Sequence, residues 1–428
     1  MGKHFNARVV LFFFFVINWF LVSEAAAVFI TDVNGDGIAD VIVGAYLANP
    51  SSRTDAGSAY VYSGSNGALL YTFNGSVAGD WLGYSVAMAG DVNGDGRGDL
   101  IVGAPNADPS GHSNAGSVFV YSGATGALLY RFNGSAANDG LGSYVTAGDV
   151  DGDGRSDLIV TGGFSLTGGR VYVFSGATGA LLYTFAPPSG EQFGPVAAGD
   201  VNGDGKADII VGNPCGSCGI YDVIVYSGAS GVALYKIDTG GESGAQSVSA
   251  GDFTCDGKAD IIVGAEYEGA TDNGMAYIYN GATGNLIRTH SGVVAYDHFG
   301  HSVSSAGNVD YSSCSDYIIG APYFDPPGKT NAGAAYIYSG LDGTQNVRID
   351  GGASYNYFGW SVSGAGGVTT SNTPAVIVGA PSASPGGRLG AGSAYVYITP
   401  AQFIWGLKYQ FNGVAAADGL GISVSGAK

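Results

Sequence analysis

Short apolar runs recur along the chain, and most follow an acidic stretch of fixed length. Residues 91–105 read DVNGDGRGDLIVGAP: nine residues with polar side chains at alternate positions, then six of strand character. The unit returns as DVNGDGIAD from Asp32, DVDGDGRSD from Asp149, DVNGDGKAD from Asp200, DFTCDGKAD from Asp252 and NVDYSSCSD from Asn308. A seventh slot, GVTTSNTPA from Gly367, keeps the apolar run (VIVGAP) and has lost the acids. Successive starts lie 51 to 59 residues apart, a period that signals a propeller or solenoid.

One full unit divides into four strands by pattern: LGYSVAMAG (82–90), DLIVGAP (99–105), AGSVFVYSG (115–123) and ALLYRFNG (127–134). In the third strand aromatics alternate with aliphatics, as at Tyr60 and Tyr62, Tyr277 and Tyr279, Tyr336 and Tyr338, and Tyr395 and Tyr397. The intervening Val61 and Ile278 are apolar too, so both faces of each small sheet need cover. Radial packing of blades about an axis supplies a neighbour on each side; an open solenoid would need distinct caps at both ends. The first unit starts at its acidic loop, and GLGISVSGAK at 419–428 is the strand it lacks, although residues 28–31 offer another start for it. The expectation is an all-β, seven-bladed β-propeller of four-stranded antiparallel blades over 28–428, closed by the C-terminal strand.

Composition narrows the class. Of 428 residues, 46% are hydrophobic and only 12% charged, which argues against disorder, and 75 glycines suit many tight turns. A formal charge of −19 leaves no basic footprint for nucleic acid. Residues 1–27 differ in kind: Lys3 and Arg8 precede an apolar run at 9–22, and small residues follow at 25–27. That is the pattern of a secretory signal peptide, and the run is short for a membrane span. The expected mature protein is secreted, with no membrane span after signal removal. Export favours disulfides. Cys215 and Cys218 suit a local bridge, and Cys255 and Cys314 occupy neighbouring loop slots from which they could pair.

Oxygens at alternate positions, with a glycine permitting a tight turn, suit a hard cation that takes six to eight oxygen ligands, namely Ca2+. Position twelve of the second loop is Val102 rather than Glu, and a strand follows, which excludes an EF-hand. In up-and-down blades the acidic loops and the ATG-type turns share one face. The variable loops (47–57, 213–222, 323–333) and the blade links carrying Trp81, Tyr296, His298, Tyr355 and Tyr357 share the other. Variable loops on a rigid scaffold are the usual seat of recognition.

FG-x-SV strands (Phe193-Gly194, Phe299-Gly300, Phe358-Gly359), the VGAP strand and the DxNxDGxxD loop together resemble the FG-GAP repeat of integrin α-subunit propellers. The resemblance covers residues 28–428. It implies a seven-bladed propeller with Ca2+ in blade hairpins on the lower face and ligand contacts on the upper face. It also implies ligands at positions one, three, five and nine through side chains, and at position seven through a backbone carbonyl. These are Asp32, Asn34, Asp36, Ile38 and Asp40; Asp91, Asn93, Asp95, Arg97 and Asp99; Asp149, Asp151, Asp153, Arg155 and Asp157; and Asp200, Asn202, Asp204, Lys206 and Asp208. The fifth loop (Asp252, Thr254, Asp256, Lys258, Asp260) keeps enough oxygens for a weaker site; the sixth (Asn308, Asp310, Ser312, Asp316) loses a glycine and a carboxylate. Four Ca2+ sites and a weaker fifth are expected.

Other signals carry less. Arg97-Gly98-Asp99 spells an adhesion tripeptide, but its Asp is a loop ligand; Asn74 and Asn133 lie in N-glycosylation sequons. His298-Phe-Gly-His301 is no HExxH motif and reads as packing or surface, and no GxSxG elbow is present. No catalytic constellation is recognised. The sequence reads as a secreted, calcium-binding adhesion or ligand-binding module with a protein or glycan ligand on the face away from the loops. A lectin is the narrower alternative, and a polysaccharide lyase on the same fold the third.

Overall fold

The runs after the acidic loops are apolar at every position, and each becomes a strand buried along its length. Leu100 to Val102 and Ile261 to Val263 are fully enclosed, on Asp99–Ala104 and Asp260–Ala265. A computed structural model describes residues 31–162, 169–188, 192–215, 221–241, 243–399 and 405–427. The expected signal peptide at 1–27 and Cys218 lie outside these residues. Among them are seven four-stranded antiparallel sheets, arranged as the blades of a propeller.

Each blade runs from an inner strand outward in chain order. Blade 2 has Val86–Gly90, Asp99–Ala104, Ser117–Tyr121 and Leu128–Asn133, paired in sequence. Blade 1 breaks the order: its inner strand is Val424–Ser425, which pairs with Ile42 and Val43 of Val41–Ala45. The ring therefore closes through the C-terminal strand.

Seven hydrophobic clusters fill the seven gaps between adjacent blades. Toward the rim, rings stack from one blade onto the next. Phe73 lies 3.9 Å from Tyr121, Phe132 4.0 Å from Phe174, Phe185 4.1 Å from Tyr226, and Phe411 3.9 Å from Tyr62 across the closure. Between blades 5 and 6 His290 takes the place of phenylalanine, 4.1 Å from Tyr338. Hydroxyls tie the same gaps: Tyr130, Tyr183 and Tyr409 donate to carbonyls of Gly176, Gly228 and Ser65 in the next blade's turn.

The spacing of the two glycine motifs has a steric cause. A Cβ on Gly44 of the VGA strand would lie 2.0 Å from the carbonyl oxygen of Gly83 in the following blade, and Gly103, Gly264, Gly320 and Gly379 meet Gly142, Gly300, Gly359 and Gly421 alike. Two backbones touch there, and only glycine leaves room.

Candidate functional site

Each inner strand leads from the mouth of the central channel down to an acidic loop, so the loops lie together on one face. Inside a loop the carboxylates turn inward onto backbone amides. Asp91 accepts from Gly94, Asp95 and Gly96; Asn93 Oδ1 from the Asp95 amide at 2.8 Å; and Asp95 from Arg97 at 2.9 Å. The first, third and fourth loops repeat the arrangement around Asp32, Asp149 and Asp200. In the third loop Asp149, Asp151 and Asp153 bring one carboxylate oxygen each within 4.8 Å of one another. In the first, second and fourth loops an asparagine oxygen stands at the middle position and accepts the same amide bond. These are oxygen-only donor sets of like charge, which a hard cation between them would relieve.

Position nine differs from the rest. Asp40, Asp99, Asp157, Asp208, Asp260 and Asp316 are all fully buried. Asp99 Oδ2 accepts from the amides of Val92 (2.9 Å) and Asn93 (3.2 Å), while Oδ1 accepts from Gly123 (2.9 Å) in the turn between the third and fourth strands. Three of about four acceptor positions are thus taken by the protein. Burial pushes this carboxyl up to about 6, against the pull of those amides. The residue pins the acidic loop to the neighbouring turn. Asp99 is therefore inaccessible as part of an adhesive tripeptide.

Neighbouring loops also interlock. The Arg97 guanidinium lies over Gly35 of the preceding loop, 3.5 Å from the Asp32 carboxylate. Arg155 lies over Gly94, Lys258 over Gly203, and Lys206 Nζ donates to the Asp151 carbonyl at 2.6 Å. Position seven thus reaches onto the neighbouring loop, a contact that spacing within one loop did not reveal.

Loops five to seven depart from the pattern by degrees: Asp252 still accepts from Asp256 and Gly257, and Asp310 from Ser312, while the seventh loop has no acid. Cys255 and Tyr311 occupy the left-handed position that glycine holds in loops one to four. Cys255 bonds Cys314 across blades 5 and 6, so the expected bridge is present, and Cys215 is disulfide-bonded as well. In the sixth loop the Asn308 amide donates to the Ser312 carbonyl. In the seventh, the hydroxyls of Thr369, Ser371 and Thr373 form a triangle with sides of 2.8 to 3.0 Å.

The opposite face repeats its backbone in part, with the same 3-10 turn at Pro50–Ser52, Pro109–Gly111 and Pro385–Gly387, but the side chains at the channel mouth change from blade to blade. The channel mouth opens there as a cavity of about 450 Å³, bordered by Tyr46, Tyr84, Tyr144, Glu266, His301 and Trp360. Glu266 follows the VGA run where Pro105, Pro322 and Pro381 stand in blades 2, 6 and 7. Its side chain is 8% exposed, with His301 Nδ1 at 2.6 Å and His298 Nδ1 at 3.3 Å from one carboxylate oxygen. Burial pushes the Glu266 carboxyl up, but the hydrogen bonds and charge of the two imidazoles outweigh it and hold the group down at about 2. The two histidines read as packing or surface residues are thus partners of a buried acid. The departure from VGAP at Glu266 was the signal available in sequence.

Family comparison places the chain. The FG-GAP repeat matches residues 25–62, 82–121, 196–235 and 244–279, and an FG-GAP-like repeat matches 149–211. Integrin alpha-5 of Xenopus laevis is 31% identical over 209 residues, 43% of this chain and 19% of that protein. Integrin alpha-V of Gallus gallus is 29% identical over 275 residues, 61% of this chain and 22% of that protein. The chain therefore spans about a fifth of the length of these relatives. A crystal structure of BBS1N in complex with ARL6DN aligns over 75% of this chain and 78% of that chain, at 12% identity and a TM-score of 0.46. The matched repeats, the seven blades and the paired glycines agree: the chain carries FG-GAP repeats, and its ring resembles the propeller of integrin α-subunits.

Proposed function

We propose that the chain is a secreted, non-enzymatic ligand-binding module of the adhesion type. Ca2+ braces one face of the ring, and the opposite face carries the recognition surface. The observation that carries this reading is the difference between the faces. The lower face repeats one acidic loop with nearly the same contacts in blades 1 to 4, whereas the upper mouth sets different side chains at different blades, among them Trp360, His301 and the single buried acid Glu266. Repetition serves the scaffold, and side chains found once serve a particular ligand.

In each of loops one to four, the side chains at positions one, three, five and nine and the carbonyl at position seven would hold the ion; loop five would hold one more weakly. Bound Ca2+ supplies a positive centre for the converged carboxylates. The chain's own part is to aim those oxygens through its amide bonds and to anchor position nine in the adjacent turn. Two features support an extracellular setting: the N-terminal signal pattern and the Cys255–Cys314 bridge, which persists in oxidising compartments. The relatives named above are integrin alpha chains, which supports the adhesion reading.

Solid-phase binding of the intact chain to extracellular-matrix proteins tests this. The expected result is binding that Trp360→Ala at the mouth weakens and Arg97→Ala at the lower face spares. Binding lost with Arg97→Ala and indifferent to Trp360→Ala would put the ligand on the loop face and overturn the reading.

A further inference from the structure

The blade links reaching the mouth hold a left-handed residue just before the Leu-Gly or Phe-Gly pair. Two blades use glycine there, Gly140 (φ +60°) and Gly419 (φ +66°). Three others hold the same conformation with a ring attached: Trp81 (φ +60°), His298 (φ +54°) and Tyr357 (φ +54°). Glycine adopts this backbone without strain, so an aromatic there is held at a cost that the fold alone does not require.

Two of these rings belong to a continuous track on blades 5 to 7. Tyr267 lies 5.1 Å from His298, His298 4.6 Å from Tyr323, Tyr323 5.1 Å from Tyr357, and Tyr357 6.3 Å from Trp360. His301 returns to Trp360 at 4.5 Å. Glu266 sits beside the track with both imidazoles donating to it. An ionised carboxylate only accepts, and its two donors fix its position. With its charge already engaged by the imidazoles, it is a placed acceptor more than a free ion-pair partner.

We propose that the mouth between blades 5, 6 and 7 is a saccharide-binding site, taking a neutral pyranose that stacks its apolar face on this track and donates hydroxyls to Glu266. The inference rests on the reading that the upper face binds the ligand. A pyranose has the matching shape: one face of weakly positive C–H bonds, which packs on the negative face of an aromatic ring, and a rim of hydroxyl donors. The channel-mouth cavity, which Glu266, His301 and Trp360 border at this side, falls in the range of small-ligand sites. Glu266 and the net charge of −19 disfavour uronates and sulfated sugars.

The test uses the intact chain in Ca2+ on an array of neutral hexose- and N-acetylhexosamine-terminated glycans, with uronate-containing glycans alongside. A second arm uses an immobilised matrix glycoprotein, native or stripped of its glycans. Trp360→Ala and Glu266→Gln probe the mouth. Tyr267→Ala, at a residue that is 52% exposed, keeps the test valid if either of the others fails to fold, as melting curves would reveal. The expected result is neutral-glycan binding that falls about tenfold or more in the folded mouth variants, a loss typical of an anchoring residue, and glycoprotein binding lost on deglycosylation. A blank array with glycoprotein binding that survives deglycosylation overturns the saccharide inference and leaves a protein-docking face. No binding in either arm overturns both readings, and glycan binding unchanged in every mouth variant overturns the site.

Discussion

Asp316 isolates the pinning role of position nine from the proposed ligand role, because its loop has Asn308 and Ser312 in place of the acids at positions one and five. Its carboxylate is fully buried and keeps the contacts of its counterparts: the Val309 amide at 2.7 Å and Asp310 at 2.9 Å on Oδ2, and Gly340 at 2.9 Å on Oδ1. Asp316→Ala leaves two buried amides and one half-buried amide without an acceptor, each buried one worth about 1–3 kcal/mol. Removing a carboxyl that burial pushes up to about 6 offsets part of this. The net cost is about 3–5 kcal/mol, and Asp316→Asn, which keeps one oxygen for two of the amides, costs roughly half as much. Chemical unfolding in saturating Ca2+ and in chelator is the assay. Asp316→Ala is expected to lose the same amount in both, because only its amide bonds are at stake. Asp99→Ala is expected to lose more in Ca2+, by about 2.7 kcal/mol at a hundredfold excess over Kd. A cost below about 1 kcal/mol for Asp316→Ala would refute the pinning role. An Asp99→Ala cost equal in the two conditions would refute the ligand role.

Breaking the Cys255–Cys314 bridge with Cys314→Ser frees a loop closed over 59 residues. The chain-entropy estimate is a loss of about 4 kcal/mol, read from unfolding with and without reductant; equal curves would contradict it. Burial, with help from the Arg288 charge, lowers His290 to about 4, so the ring folds neutral. Its contribution is full above the ordinary value of 6.5 and fades as pH falls toward 4, by about 1–2 kcal/mol after allowance for its partial exposure. His290→Phe should flatten the stability profile over that window, and an unchanged slope would count against the assignment. Gly44→Ala drives a methyl into the Gly83 carbonyl and should cost about 2 kcal/mol or more by thermal unfolding.

Much of the fold was legible because its causes are local and repeated. Strand character follows from the apolar runs, the blade count from the period, and the closure from the strand-like run at 419–428. The Cys255–Cys314 pairing was legible because equivalent slots in adjacent blades fall side by side. What stayed hidden depends on which residues of different blades meet. The reach of Arg97 onto the preceding loop is a matter of inter-blade geometry, as is the grip of Asp99 on the Gly123 amide. So is the convergence of His298 and His301 on Glu266, which is 32 and 35 residues away along the chain. His290 was unreadable for a similar reason: its role is set by Tyr317, whose hydroxyl lies 2.7 Å from its Nε2, and by the stacked Tyr338 of the next blade.

The most direct test of a cation-braced ring is calorimetric titration of the fully chelated chain with Ca2+, followed by melting of the loaded and chelated forms. The account predicts four tight sites and a weaker fifth, with a melting temperature that rises markedly on loading. Absence of binding, or melting curves that coincide with and without Ca2+, would contradict it.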